Sequence, residues 1–560
     1  MYGKLIGKEK MANFNDILVL VKKKYQWFFL IIFILLGFYL RDYHIDFPSI
    51  GYHNMKENEY IDQVKAFYRG EVSLLHRYTS LSAMDSGPGY FEENPQMPLL
   101  SWLGALAWLF SGENISVLRL IVIIFSLTTI IGTYLLAKEL SNNEYFSLLS
   151  AFFMAIIPLN VFFGRNIQPD TPALAMAIFF SYYMFRAMRT FDNKDFFIAG
   201  VFLALAGLFK YSFLIVIFPF IFLFPYQKFF EIKNLKKNYK KILYFSIGPL
   251  IMVFWALFEQ FFIITSHDKG FKTAFFSRLH LFDIFTMNYW VNSWPAISHY
   301  LRDNFSWGLM IFFLLGIFFF FLKYKHLLSK YVLLFLASTI LYAMLLSTYI
   351  NAHSYYQLPF THLFALGVAY SFFNIGILLK EFLGRQYLKY APLLILIILA
   401  PSIKASTDVQ FDTVFFGLDI AGNYLNKHME RTERFLVVGH AQSVAVCTYS
   451  DRRCHLTESP ELDQLKFLEY NRSVSWIFIY DQYGFFRAQQ NQEFFNYVAK
   501  NYKIAEAGFI GVGQNVQLKY LILKKGGILE LNISGDNIQK VAEYKLTKMS
   551  IPFYIKNFDI

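Results

Sequence analysis

Long apolar runs, repeated along the first 404 residues, constrain this protein more than any other feature of its sequence. Of 560 residues, 56% are hydrophobic and one in five is aromatic, whereas only 16% are charged. An average soluble protein carries about 25% charged residues. A soluble core cannot hide this much apolar surface, so most of it must face lipid. The composition excludes a cytosolic enzyme, a disordered chain and, with two cysteines, a disulfide-rich scaffold.

A membrane span requires about 20 mostly apolar residues. The sequence predicts eleven spans, at 25–40, 118–137, 145–163, 172–189, 196–209, 212–225, 242–264, 306–322, 331–350, 359–379 and 390–403. Residues 1–24 are polar and basic, and no small-residue cleavage site follows the first apolar run. We therefore expect a cytoplasmic N-terminus and no cleaved signal peptide.

The short loops carry lysine and arginine in a pattern that predicts the orientation. Basic residues collect at 22–24, 138, 186–194, 228–241, 323–330 and 380–389. Basic loops are retained in the cytoplasm, and all of these loops can lie there only if the twelve-residue run 99–110 does not cross the membrane. We therefore predict that this run lies on the outer surface as an amphipathic helix. Topology accounts for the net charge of +12, and no nucleic-acid partner is expected. We expect a bacterial cytoplasmic (inner) membrane protein with its site on the extracytoplasmic side.

The chain changes character near Lys404, where apolar runs shorten and charges become frequent. Runs 434–439 and 475–480 predict buried strands, and 412–429 and 490–503 predict helices. We therefore predict an α-helical polytopic membrane module, 25–404, with a large outer loop 41–98, and an extracytoplasmic α/β domain, 405–560. Cys447 and Cys454 lie in this domain, and both a disulfide and two free thiols remain open.

The first outer loop contains a helix with a carboxylate in its first turn. Asn54 and Glu57 have the spacing of an N-cap and its N3 partner, which favours a capping box. The functional alternative is that Glu57 is a general base at the membrane surface.

Three further outer segments carry polar residues close to lipid, where unpaired charges are costly. Arg165 and Asp170 lie in the second outer loop, Lys210 lies between the fifth and sixth spans, and His353 begins a segment with two tyrosines and a glutamine. A helix cap, a snorkelling lysine and an aromatic belt are the structural alternatives for these residues. Together they indicate a site for an acidic, lipid-borne substrate.

The residues that could contact this substrate come from all four outer segments. No GxxxxGK[ST], HExxH, GxSxG or paired CxxC motif is present, so the activated substrate must arrive in the membrane. The candidates for donor or substrate binding are Lys210, Arg165, His353, Tyr355, Tyr356, Gln357, His53 and Tyr60.

In this order the segments resemble the polytopic GT-C glycosyltransferases, specifically bacterial relatives of protein O-mannosyltransferases and of the lipid A aminoarabinose transferase. The matching segments, within about 25–404, are KENEY at 56–60, the proline-rich 94–102, RNIQPD at 165–170, Lys210 and HSYYQLP at 353–359. Many relatives have Asp-Glu where this chain has Lys56-Glu57, and Asn94 stands where some carry a lysine. The base therefore stays open between Glu57 and Glu59.

The resemblance implies transfer of a sugar from a polyprenyl-phosphate donor to a hydroxyl of lipid A, another glycolipid, a glycan or a protein. One inverting displacement is implied, with Glu57 as base or acceptor-orienting acid and Asp170 as its partner. Lys210 and Arg165 would clamp the phosphate, and the 353–357 segment would line the donor. No cofactor is implied. A divalent metal ion between two carboxylates stays open as an alternative but is not expected, because relatives of this kind mostly do without one.

Two other classes of function compete with an enzyme. A transporter or flippase of a lipid-linked sugar would place ionisable residues near the bilayer midplane, in repeated halves. Here the polar residues lie at one edge, and the sequence shows no internal repeat. A membrane scaffold would leave the polar loops unexplained, so the sequence favours a glycosyltransferase.

Overall fold

The structure is a computed structural model that describes residues 14–72, 81–84, 96–259, 261, 282–513, 515–530 and 538–558. The start of the predicted cytoplasmic N-terminus, 1–13, and the first two residues of the proline-rich segment, 94–95, lie outside the described residues.

Helices make up nearly all of the described membrane part. In chain order they are α1 Phe14–Asp42, α2 Asn54–Tyr68, α3 Leu99–Ser111, α4 Ile115–Ser141, α5 Glu144–Ile156, α6 Pro158–Phe162, α7 Asp170–Thr190, α8 Asn193–Phe209, α9 Phe218–Leu223, α10 Tyr226–Phe229, α11 Ile232–Phe258, α12 Met287–Phe305, α13 Trp307–Leu322, α14 Leu327–Leu345, α15 Ser347–Ala352, α16 Thr361–Leu383 and α17 Ile395–Asp412. Four 3₁₀ segments of the same part are Tyr211–Ile217, Asp283–Phe285, Ser354–Phe360 and Gln386–Leu394.

The protein is a multi-pass membrane protein. Among the described residues, six helices are long and apolar enough to cross a bilayer, and the bent pair α12–α13 would add a seventh. Residues 260 and 262–264 of the span predicted at 242–264 lie outside the described residues. Where the structure describes them, the eleven predicted spans fall on helical structure, but several are short or broken, so the count of eleven stays a prediction. The span predicted at 145–163, for example, is interrupted at Pro158, because proline at that position cannot donate the next helical hydrogen bond.

Close backbone contact joins α8 to α11. A Cβ on Gly248 would collide with the backbone carbonyl of Gly200, so glycine at this crossing lets the two helices touch directly. Small residues commonly allow such approach between membrane helices.

The sequence did not predict α12. This helix meets α13 at an angle of 89°, and the turn between them is at Ser306, whose φ is +62°. One side of α12 exposes Met287, Trp290 and Val291. Its other side contacts 347–357, since Tyr289 donates a hydrogen bond to the carbonyl of Ser347 at 3.0 Å.

The C-terminal part is an α/β domain built on one mixed sheet. Its strands are β1 Ser82–Met84, β2 Arg434–Val438, β3 Cys454–Thr457, β4 Val474–Tyr480, β5 Tyr502–Val512, β6 Asn515–Lys525, β7 Gln539–Lys545 and β8 Ser550–Asn557. Their order in the sheet is β1-β3-β2-β4-β6-β5-β8-β7. The neighbouring strands β1, β3, β2 and β4 pair in parallel. From β4 onward, the neighbours β6, β5, β8 and β7 pair antiparallel.

Helices cover both faces of this sheet. They are α18 Leu418–His428, α19 Ala445–Ser450, α20 Leu462–Arg472, α21 Asp481–Gln490 and α22 Gln492–Asn501. Residues of α18 and α19 share a core with one face, and residues of α20 to α22 share a core with the other.

Two local predictions for this domain are settled by the structure. The helix predicted at 412–429 is present only over Leu418–His428, because α17 ends at Asp412 and α18 starts after Gly417, whose φ of +85° breaks the helix. Cys447 and Cys454 form a disulfide with their Cα atoms 5.8 Å apart, which decides between the two open alternatives.

The first outer loop is joined to the C-terminal domain. It supplies β1, which pairs with β3 at the edge of the sheet. The backbone N–H of Phe415 donates to the carbonyl of Ile50 at 2.8 Å, and the Lys65 ammonium donates to the carbonyl of Thr448 at 2.7 Å. Helix α2 is therefore held between the membrane helices and the C-terminal domain.

Candidate active site

Helix α2 starts without a side-chain cap. His53 precedes it with a φ of +56°, in the left-handed region, and no side chain caps the first turn. The predicted capping box is therefore wrong. The helix begins at Asn54, and the carboxylate of Glu57 turns toward α4.

Glu57 forms a buried ion pair with Arg119. The guanidinium Nε and Nη2 contact Oε1 and Oε2, both at 3.1 Å. The Ser49 hydroxyl donates to Oε2 at 2.6 Å, and the backbone N–H of Ile167 donates to Oε1 at 3.3 Å. Burial alone would raise the pKa of the Glu57 carboxyl, but Arg119 and Ser49 outweigh burial and lower it. A carboxylate with four donors around it is built to hold the loop in place.

Arg165 is also engaged in the structure of the loop. Its guanidinium donates to the carbonyls of Tyr43, at 2.8 Å, and His44, and it lies 4.7 Å from the ring centroid of Phe411. Arg119 donates to the next carbonyl, of Ile45, at 3.0 Å. Two arginines thus bind the backbone of the turn that leads from α1 to α2.

Asp170 and Lys210 form a second ion pair. Lys210 Nζ lies 2.6 Å from Asp170 Oδ1, where α7 begins and α8 ends. Neither side chain caps a helix: Asp170 gives α7 no side-chain cap, and Lys210 is 9% exposed, which is too buried for a snorkelling lysine. The ammonium also lies over the rings of Tyr355, at 4.5 Å, and Tyr356, at 5.1 Å. The Asp170–Lys210 pair and the rings of Tyr355 and Tyr356 therefore form one polar, aromatic surface, which we call the floor of the site.

A third ion pair, on α2, faces this floor. Lys56 Nζ and Glu59 Oε2 are 2.6 Å apart, and their side chains remain 33% and 19% exposed. Lys56 and Glu59 both act electrostatically on Lys210. The two pairs thus bring two ammonium groups and two carboxylates to one site, and the outer pair is the more accessible.

Two histidines complete the site, and both are neutral. Their rings are 5.7 Å apart, and His53 contacts the hydroxyl of Ser354 through Nε2 at 3.1 Å. Burial, with the charge of Lys210, lowers the pKa of His53 to about 3 and that of His353 to about 4. His353 stacks on Tyr355 at 5.2 Å, so a neutral imidazole lies beside the lysine pairs.

The segment 353–357 is anchored from α12. The Asn304 amide donates to Gln357 Oε1 at 2.9 Å and to the carbonyl of Ser354 at 3.2 Å. Tyr60, on α2, donates to Gln96 Oε1 at 3.3 Å. In the described parts of the chain no three His, Cys, Asp or Glu side chains converge as metal ligands.

The match to a protein-family model falls on this part of the chain. Residues 93–257 match the family described as dolichyl-phosphate-mannose-protein mannosyltransferase, and the match includes Arg165, Asp170 and Lys210. No curated protein matches the chain in sequence.

Solved structures share the fold over most of the chain. The Archaeoglobus fulgidus oligosaccharyltransferase, solved tethered to an acceptor peptide, has a TM-score of 0.55 and 13% identity, covering 89% of this chain and 74% of that one. The same organism's AglB with an inhibitory peptide and a dolichol-phosphate has a TM-score of 0.53 and 12% identity, with the same coverage. The mycobacterial arabinofuranosyltransferase AftD has a TM-score of 0.50 and 12% identity, covering 90% of this chain and 41% of that one.

The sequence similarity to that mannosyltransferase family is confined to residues 93–257. The solved structures show the fold, which extends from the membrane helices into the C-terminal domain. At 12–13% identity the structures carry no residue roles over to this chain.

Only part of the predicted site comes together in the structure. Lys210 and Asp170 meet the aromatic segment that begins at His353, and His53 joins them. Glu57 and Arg165 instead bind Arg119 and the turn before α2, and the structure does not pair Glu57 with Asp170. Sequence reasoning missed Arg119, although an arginine in the first turn of a predicted span was a signal, because a charge there is costly unless it is paired.

Proposed function

We propose that the protein transfers a sugar from a polyprenyl-phosphate donor to an acceptor hydroxyl at the outer face of a bacterial cytoplasmic membrane. One observation carries the proposal: the Lys56–Glu59 and Asp170–Lys210 pairs adjoin over an aromatic floor. A phosphate needs cations, an acceptor hydroxyl needs a base, and a prenyl tail needs apolar helices beside both.

The chemistry is a single displacement at the anomeric carbon. The acceptor oxygen forms a bond to that carbon while the bond to the phosphate oxygen breaks, and the polyprenyl phosphate leaves with the bonding electrons. Glu59 accepts the hydroxyl proton, since Glu57 is saturated with donors. Lys210 and Lys56 stabilise the charge that develops on the leaving phosphate. Inversion at the anomeric carbon follows.

The other candidates have supporting roles in this proposal. Asp170 orients the Lys210 ammonium, and Tyr355, Tyr356 and the neutral His353 line the donor. Glu57 and Arg165 position the loop that carries α2, so they act through other residues.

Replacing Lys210 with alanine should reduce transfer about 10²–10³-fold, the loss typical when one group that stabilises developing charge is removed. The measurement is sugar transfer from a polyprenyl-phosphate donor by purified protein, with melting temperature recorded alongside. Lys228, whose ammonium lies over the ring of Phe191, is the matched control, and Lys228→Ala should retain activity. Unchanged transfer by Lys210→Ala would contradict the proposed function.

A topology reporter tests the proposed side of the membrane. A reporter that is active only outside the cytoplasm should be active when fused after Lys404 and silent when fused at Asn238, because basic loops are retained in the cytoplasm. Activity at Asn238 would reverse the orientation and place the site on the cytoplasmic face.

A further inference from the structure

The sheet of the C-terminal domain changes winding direction between β2 and β4. From β2 the chain continues to β3 on one side, whereas from β4 it continues to β5 on the other side. The helices that follow these two strands pack on opposite faces of the sheet. In open α/β sheets, ligands bind in the crevice outside the carboxyl ends of the strands at such a switch point.

Polar side chains gather at the carboxyl ends of these strands. His440 follows β2 after one glycine, Glu458 directly follows β3, and Asp481 directly follows β4. The Tyr483 hydroxyl donates to Glu458 Oε2 at 3.3 Å, and the Tyr483 ring lies 6.3 Å from that of His440. Asp481 and Glu458 both act electrostatically on His440, so the groups share one crevice.

The protonation of His440 is set by its surroundings. Burial lowers the pKa of this imidazole, against the opposing charges of Asp481 and Glu458. The neutral ring accepts a hydrogen bond at Nδ1 from the backbone N–H of Gln442, at 3.1 Å, so its proton is on Nε2. Phe415 packs edge-on against the ring at 5.2 Å and fixes its orientation. Lys519 Nζ also lies 3.2 Å from Asp481 Oδ1. The crevice therefore presents an imidazole N–H and an ammonium group beside two carboxylates.

The crevice adjoins the proposed active site. Gln442, two residues after His440, accepts a hydrogen bond at Oε1 from the backbone N–H of Met55, at 3.3 Å. Met55 is in the first turn of α2, next to Lys56. A ligand in the crevice would therefore lie against the helix that carries the proposed base.

We propose that this crevice binds a saccharide. The further identification of this saccharide as the hydroxyl-rich part of the acceptor rests on the proposed function. Each sugar hydroxyl both donates and accepts hydrogen bonds, so it fits a site that mixes an imidazole N–H with carboxylates and a phenol. A phosphate fits poorly, because the Lys519 ammonium is already paired with Asp481 and the Glu458 carboxylate would repel a phosphate. The 3₁₀ segment after β2, Ala441–Val444, is also only four residues long.

The test measures saccharide binding by the full-length protein in lipid nanodiscs, since maltoside detergents are themselves saccharides. Saturation-transfer NMR with methyl glycosides of glucose, galactose, mannose and N-acetylglucosamine should detect saturable binding of at least one. His440→Ala should weaken that binding about tenfold, the scale of one hydrogen bond lost from a partly buried site.

A second variant guards against a folding defect. Asp481 has a φ of +56°, and asparagine tolerates that conformation, so Asp481→Asn removes the charge while it keeps the shape. It should weaken binding similarly. His428→Ala, on the last turn of α18, is the matched control and should bind normally.

Other outcomes overturn the proposal. Failure of all four glycosides, binding unchanged in both crevice variants, or saturable binding of a threonine-rich peptide or inorganic phosphate in their place would each do so. Saccharide binding without any donor turnover would leave the crevice in place and reject the proposed transfer reaction, so the two failures are distinguishable.

Discussion

Glu59→Gln is expected to reduce sugar transfer by about 10²–10⁴-fold, because it removes the proposed proton acceptor while it keeps the shape of the side chain. Its melting temperature should hardly change. The Lys56–Glu59 pair is partly exposed, and such pairs contribute only about 0–1 kcal/mol. The measurement is transfer from a polyprenyl-phosphate donor by purified protein, with thermal unfolding in the same preparation.

Glu57, two residues earlier on the same helix, is the matched comparison. Near-normal transfer by Glu59→Gln would reject Glu59 as the base. Loss of transfer by Glu57→Gln, with unchanged melting temperature, would return the role to Glu57. Asp170→Asn adds a third comparison, since Asp170 is proposed to orient Lys210 and not to take the proton.

Glu57→Gln is expected to lower the free energy of unfolding by about 3–5 kcal/mol, the usual result of removing one partner of a buried ion pair. The change leaves the Arg119 guanidinium, only 2% exposed, without its counter-charge. Thermal or denaturant unfolding in nanodiscs measures the effect. A variant as stable as the parent would show that the pair does not hold the loop.

The same pair predicts a dependence of stability on pH. The folded pKa of Glu57 lies below its ordinary value of 4.5, so its stabilisation is fully present above that pH. It is lost as pH falls through the lower folded value, because the folded protein must then take up a proton against Arg119. Glu57→Gln should lack this component of acid unfolding.

The residue that anchors α2 and the residue proposed as the base therefore lie on different faces of this helix. Glu57 points to Arg119, and Glu59 points to Lys56 at the site. Because residues two apart on a helix face different directions, a single turn can both anchor the loop and present a base.

The sequence alone determined the features that depend on local composition. Within the described residues, apolar runs predicted helical structure at each of the eleven places, and the alternation of strands and helices after Lys404 predicted an α/β domain. The resemblance to GT-C enzymes was confirmed. The predictions of helices and strands succeed because lipid requires continuous apolar helices and a buried strand requires its own apolar pattern. Both requirements hold wherever the rest of the chain lies.

Only the tertiary structure decided the partners of the charged residues. The local pattern favoured a capping box for Glu57, but in the structure the Glu57 carboxylate binds Arg119, which is 62 positions away in the sequence. Lys210 forms an ion pair with Asp170, which is 40 positions away, and β1 of the first outer loop pairs with β3 of the C-terminal sheet. Charges buried in a low-dielectric interior must find an opposite charge in space, and the spacing of residues along the chain does not specify which one they meet.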